Sequence, residues 1–143
     1  MLFRSAGLLT GDESGTEDLL EGQSLFLTKL RKTLSKYTQK QLLAFDRTLE
    51  RKLFDIDRQD IQEHTDGSDD GFLYARGFIV SMGREYYEFV SADPSKALPD
   101  LEFEEFCYVS VHLYEKKYGP MPTSTISRES TSNKAGWREQ KKS

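Results

Sequence analysis

Apolar residues in this chain recur at the spacing of an α-helix, and that spacing restricts it to helical folds. The most regular stretch steps by three, four, four and three residues, through Leu42, Phe45, Leu49, Leu53 and Ile56. Thr38 and Gln41 form a capping-box pattern that begins this helix. No stretch alternates apolar and polar residues over the length of a β-strand. The pattern therefore predicts an all-α fold, a compact bundle of about four helices with a disordered C-terminal tail.

Three further helices are predicted from the same periodicity. The first begins near residue 23, the third runs from the cap Ser68 to Asp93, and the fourth covers residues 102–118. Gly77 and Gly83 lie inside the third helix, where a glycine costs about 1 kcal/mol relative to alanine. We expect close approach of a second helix to compensate for this cost. A ligand bound near the backbone is the rarer alternative.

Composition divides the chain into a loose N-terminal arm (1–22), an all-α domain (23–120) and a disordered, basic tail (121–143). The tail is rich in Ser and Thr and too poor in apolar residues to offset its ordering entropy. It carries five basic and two acidic residues, a net charge of +3. Since the whole chain carries -4, the part before residue 121 carries −7. A domain of that sign repels phosphate backbones, which argues against a nucleic-acid partner. In the tail, only Trp137 is suited to anchor a partner.

Several site classes find little support in the sequence. A single cysteine, Cys107, excludes an internal disulfide framework and a multi-cysteine zinc site, and it fits a reducing, cytoplasmic location. The chain has no apolar run of about 18 residues, so we expect no membrane partner. His64 and His112 lack metal-ligand spacing, and no catalytic motif occurs, so we expect no metal, cofactor or catalytic residue.

Residues 66–71 resemble the start of a calcium-binding EF-hand loop. The twelfth position of such a loop requires a bidentate glutamate, and here it is Gly77. A turn that caps the third helix is therefore the favoured interpretation, with Asp69 and Asp70 placed to complement the helix dipole.

Arg76 lies in an apolar stretch of the third helix and is expected to be partly buried. A buried arginine needs a carboxylate partner. The candidates are Asp46, Asp55, Asp57, Asp69 and Asp70. The alternative makes Arg76 an anion-binding group in a cleft, with Tyr74 or Tyr86 beside it.

One segment, residues 66–93, resembles the small bacterial family catalogued as domain of unknown function 4240. The residues that carry the resemblance are Ser68-Asp69-Asp70, Phe72, Tyr74, Arg76-Gly77-Phe78, Ile79 and Gly83-Arg84, followed by Asp93-Pro94, Tyr114-Glu115 and Gly119. It extends faintly back to about Leu25 and covers roughly two thirds of the chain. The tryptophan-rich stretch common in that family is replaced here by residues 54–58, so a site lined by those rings is not carried over.

The resemblance implies an α-helical domain and supplies no established activity. It singles out Asp69, Asp70, Tyr74 and Arg76 as candidate binding residues, together with Arg84. Because the domain is acidic and lacks catalytic groups, we expect a non-enzymatic module that binds a basic protein surface, such as an immunity or antitoxin-like protein. The alternative is a small-molecule-binding domain or an enzyme, with acid–base chemistry at the same polar cluster. The sequence does not indicate the oligomeric state.

Overall fold

The computed structural model describes residues 13–65 and 68–137, and within them the chain forms six α-helices and no strand. The helices are α1 (Glu13–Leu34), α2 (Gln39–Asp55), α3 (Gln59–Gln62), α4 (Asp69–Ser81), α5 (Arg84–Ala92) and α6 (Glu104–Tyr118). Two short 3-10 helices cover Pro94–Lys96 and Lys134–Gly136. The predicted all-α class is confirmed.

Helix α2 begins where its capping box predicts. The Thr38 side chain accepts a hydrogen bond from the Gln41 amide at 3.1 Å, and the Gln41 side chain accepts one from the Thr38 amide at 2.9 Å. Both bonds satisfy donors that the first helical turn leaves without partners. The boundary of this helix is therefore set locally.

The third predicted helix is divided at Gly83 into α4 and α5, so the expectation of one continuous helix was wrong. Gly83 has a φ of 105°, a left-handed conformation that disfavours every residue with a Cβ. Helix α1 also begins earlier than predicted, at Glu13 rather than near Gln23. Residues 1–12 of the expected N-terminal arm lie outside the described residues.

Helix α4 packs closely against α6 at Gly77. A Cβ built on Gly77 would overlap the Sγ of Cys107 and would lie 3.0 Å from the backbone oxygen of Phe103. The helix interface therefore has no room for a side chain at this position, as the close-packing interpretation expects. Around it lies the main core, to which α1, α2, α4 and α6 contribute Leu27, Leu49, Phe78 and Phe106.

Residues 121–137, which we call the C-terminal segment, pack against the bundle. Arg128 and Trp137 are each only 8% exposed, although the sequence predicts disorder from residue 121 onward. The segment's order comes chiefly from polar contacts with buried groups of the bundle. Such contacts leave no periodic pattern in the sequence, and the disorder prediction was based on the lack of that pattern. Residues 138–143 of the expected tail lie outside the described residues.

None of the helices in the described ranges is both long and apolar enough to cross a membrane.

Candidate functional site

Arg76 lies fully buried in the middle of α4 and binds the chain from both sides. Its Nη1 donates to the Leu53 carbonyl at 2.9 Å, and its Nη2 donates to the Arg128 carbonyl at 2.9 Å and to Ser130 Oγ at 3.1 Å. The guanidinium carbon lies 4.7 Å from the centre of the Phe72 ring. Burial lowers the pKa of Arg76, and the negative charge of Asp57 partly offsets this effect.

The carboxylate expected to pair with Arg76 is not there. Among the described residues, no carboxylate oxygen lies within the 4.0 Å of its guanidinium that defines an ion pair, so the predicted pair was wrong. Backbone carbonyls and a hydroxyl take its place. Arg76 therefore joins α2, α4 and the C-terminal segment and does not line an open cleft.

Arg128 takes the carboxylates instead. Its Nη2 donates to Asp46 Oδ2 at 3.0 Å and to Glu50 Oε2 at 3.1 Å, and its Nη1 donates to the Cys107 carbonyl at 2.7 Å. Asp46 is fully buried and also accepts a hydrogen bond from Ser110 Oγ at 2.7 Å. This cluster gives the arginine side chain of the C-terminal segment a closed binding site between α2 and α6.

Asp57 holds the end of the same segment. This fully buried carboxylate accepts from the amides of Thr131 at 3.0 Å and Asn133 at 2.9 Å, and from the Trp137 indole Nε1 at 3.0 Å. The Trp137 ring stands edge-on to Phe72, with ring centres 5.9 Å apart. Two of the carboxylates considered as partners of Arg76, Asp46 and Asp57, therefore bind the C-terminal segment.

The outer surface of α4 carries three of the predicted site residues. Asp69 and Asp70 are exposed in its first turn, after Ser68, whose Oγ accepts from the Gly71 amide at 3.0 Å. This bond agrees with the capping interpretation, although Asp66 and Gly67 of the calcium-like loop lie outside the described residues. Tyr74 follows on α4 and is half-buried.

Tyr74 and Tyr108 are neighbouring phenols next to carboxylates. Burial raises the pKa of Tyr74, and the nearby charges of Glu104 and Asp70 raise it further. Burial also raises the pKa of Tyr108 to about 12, with smaller contributions from Tyr74 and the charge of Glu129. Both phenols are therefore neutral at physiological pH and can present rings and hydroxyl groups beside negative charge.

Arg84 does not belong to this group. It begins α5, is exposed, and pairs with Glu88 one turn later at 3.1 Å. Asp69 lies at the opposite end of α4, a helix about 18 Å long at 1.5 Å per residue, and Arg84 lies beyond the end of that helix. Of the five predicted site residues, Asp70 lies close to Tyr74, Asp69 is exposed in the same first turn of α4, Arg76 is buried, and Arg84 lies apart on α5.

Sequence reasoning missed Tyr108, Glu104 and Glu129. Glu104 and Tyr108 are four residues apart on α6, so helical spacing places them on one face and could have indicated this pair. For Glu129 and Arg128 no such signal exists, because residues 121–133 form no helix or strand.

An open polar cavity of about 480 Å³ lies elsewhere, between α3 and the C-terminal segment. Its lining includes Arg58, Asp60, Glu63 and Asn133 and none of the predicted site residues. Across residues 13–65 and 68–137, no cluster of three or more His, Cys, Asp or Glu side chains is arranged to hold a metal ion.

A family model described as a protein of unknown function (DUF4240) matches residues 13–116, well over half of the chain. The match begins with α1 and ends within α6, so the C-terminal segment lies beyond it. No curated protein and no solved structure matches the chain. The resemblance carried by the residue signature is thereby confirmed.

Proposed function

The chain belongs to the DUF4240 family of proteins of unknown function, and we propose that it is a non-enzymatic module that binds a basic protein surface. The observation that carries this proposal is the acidic face, which we define as the exposed carboxylates of Asp70, Glu104 and Glu129 around the half-buried Tyr74 and Tyr108.

The acidic face offers two kinds of contact to a lysine- or arginine-rich partner. The carboxylates attract the basic surface at long range, which raises the association rate. The two tyrosines supply ring area and neutral hydroxyl groups, and tyrosine is among the residues that contribute most to binding energy at protein interfaces. A ring face can also contact a cation directly, an interaction worth about 0.5–1 kcal/mol at an exposed site.

The test measures binding of a fluorescent peptide in which lysine and arginine alternate with glycine, by anisotropy at low salt. One variant neutralises the face, with Asp70→Asn, Glu104→Gln and Glu129→Gln. A control variant makes the same charge change elsewhere, with Asp18→Asn, Glu21→Gln and Glu63→Gln, all exposed. Three surface pairs at about 0.5 kcal/mol each predict a loss of about tenfold in affinity for the face variant. Equal losses in both variants would show that net charge alone drives binding and would refute the proposal.

A concrete form of this function is an immunity or antitoxin-like protein that covers the basic active site of a toxin. Its support is the −7 charge of the part of the chain before residue 121, together with its small size. The single thiol of Cys107, free and buried, suits the reducing cytoplasm of a bacterium. Affinity purification from the native host tests this form, because a toxin-masking protein is recovered with a stoichiometric basic partner.

The second candidate is a small-molecule-binding domain or an enzyme. The cavity beside Arg58 and Asp60 favours it, since it is polar and large enough for a small ligand. A thermal-shift screen with nucleotides, metal ions and phosphorylated metabolites separates the two candidates. A ligand present at 100 times its dissociation constant stabilises the folded state by about 2.7 kcal/mol and raises the melting temperature.

A further inference from the structure

The C-terminal segment occupies a groove whose polar groups are buried and directed at it. We call this the polar groove, formed by the side chains of Asp46, Glu50, Asp57 and Arg76 and by the carbonyl of Cys107. Every one of these groups bonds to residues 128–137 of the same chain. The residues that carry the groups lie within the family match, whereas the segment lies beyond it.

The groove recognises the segment at two anchors and along the backbone between them. At one anchor the Arg128 guanidinium binds two carboxylates and a carbonyl. At the other, the Trp137 indole donates to both the side chain and the backbone carbonyl of Asp57 while its ring packs on Phe72. Between the anchors, the amides of Thr131 and Asn133 donate to Asp57. This is specific recognition of a peptide segment, since the groove binds two side chains and the main chain between them.

We propose that the polar groove is a peptide-recognition site that also accepts the C-terminal segment of a second copy of this chain, giving a dimer with exchanged segments. A second copy carries the same residues 128–137, so its segment can make each of the contacts described above in this groove. Exchange of an identical element is a low-cost route to a dimer. This proposal is independent of the basic partner proposed for the acidic face.

The connection before the segment allows such an exchange. Helix α6 ends at Tyr118, and Gly119 follows with a φ of 91°. A Cβ placed on Gly119 would meet no atom within 4 Å, so the backbone there lies in open space. A change in a few dihedral angles at this glycine directs the segment away from its own bundle.

An empty groove is also unfavourable, which makes it a strong acceptor. Without the segment, the buried Asp57 carboxylate would lose the Thr131, Asn133 and Trp137 donors, and Arg76 would lose two of its three acceptors. Asp46 would lose Arg128 and keep its bond from Ser110. A tethered segment has an effective concentration in the millimolar range, so the chain's own segment prevails at micromolar protein. A second copy occupies the groove when the chain's own segment cannot.

The test uses two full-length variants that each lack one half of the contact. Asp57→Ala keeps the segment but removes the carboxylate that accepts from the Thr131 and Asn133 amides and from the indole, whereas Trp137→Ala keeps the groove but lacks the indole. Neither variant can form the complete contact by itself, in one copy or between two. Mixed at about 200 µM, the segment of the first fits the groove of the second. Trp137 is the only tryptophan in the sequence, so the fluorescence of the mixture reports only the first variant.

We expect the tryptophan emission to shift to shorter wavelength on mixing, and light scattering to detect a heterodimer that neither variant forms alone. Circular dichroism verifies that each variant is helical. If either is unfolded, Asp57→Asn and Trp137→Phe replace them, because Asn keeps the shape of Asp57 without its charge and Phe keeps an aromatic ring without the indole N–H. An unchanged emission and monomers in the mixture of folded variants would overturn the proposal. Binding of an isolated peptide of residues 121–137 without a heterodimer would also overturn it, since the groove would then not accept a second copy.

Discussion

Replacing Gly77 by alanine is expected to destabilise this protein, although alanine is the better helix former. In an uncrowded helix the substitution would stabilise the fold by about 1 kcal/mol. Here the added Cβ overlaps the Sγ of Cys107 and lies 3.0 Å from the carbonyl oxygen of Phe103. Cys107 is fully buried, and its Sγ already lies 3.6 Å from the carbonyl oxygens of Leu73 and Phe103. The sulfur therefore has little space into which it can move.

The magnitude follows from the opposing effects. Overpacking a core costs about 1–3 kcal/mol, and the upper half of that range applies because one obstacle is a backbone atom. After subtraction of the helix-propensity gain, we expect a net loss of about 1–2 kcal/mol in the free energy of unfolding. For a chain of this length, such a loss lowers the melting temperature by roughly 3–8 °C. Gly77→Leu adds far more volume at the same point and is expected to prevent folding.

The assay is urea denaturation followed by circular dichroism, arranged as a double-mutant cycle with Cys107→Ala. Removing the sulfur opens space for the new methyl group, so Gly77→Ala should cost at least about 1 kcal/mol less in the Cys107→Ala background. Additive effects in the cycle would mean that the two residues do not meet. Stabilisation by Gly77→Ala alone would refute the close approach of α4 and α6 at this glycine.

Two further predictions concern buried polar groups. Arg76→Met should lower the free energy of unfolding by about 2–4 kcal/mol and shift Trp137 emission to longer wavelength. The carbonyls of Leu53 and Arg128 lose their donors at a cost of about 1–3 kcal/mol each, and the removal of a buried cation offsets part of this cost. Unchanged stability in denaturant would contradict this role of Arg76. Burial raises the pKa of Cys107 from 9.0 to about 12, so the thiolate fraction at pH 8 is about a thousandfold smaller in the folded state and a disulfide reagent should label the thiol only after guanidinium is added. Because the pKa of Cys107 is higher in the folded than in the unfolded state, the stability linked to this thiol is complete below pH 9 and is lost as the pH rises towards 12. Rapid labelling of the native protein at pH 8 would contradict the labelling prediction, since it would show that Cys107 is accessible.

Much of the helical framework was predictable because it depends on residues close together in sequence. The three- and four-residue spacing of apolar side chains placed α2, and Thr38 with Gln41 marked its beginning. The same local reasoning identified Ser68 as a cap and placed Asp69 and Asp70 in the first turn of α4. The break at Gly83 was not predicted, because a glycine within helical periodicity fits a continuous helix as well as a turn with positive φ.

The partners of the buried charges could not be predicted. Arg128 binds Asp46 across 82 residues of sequence, and Arg76 reaches the Arg128 carbonyl across 52. Such contacts leave no periodic trace, so composition indicated a disordered tail where residues 121–137 are ordered. The sequence by itself determined the helix-forming stretches, the caps and the acidic charge, because each depends on neighbouring residues or on a sum over residues. Only the tertiary structure decided that Arg76 is buried and that the C-terminal segment completes the bundle. The reason is that buried polar groups must find partners, and those partners are distant residues that only the packing of the chain brings together.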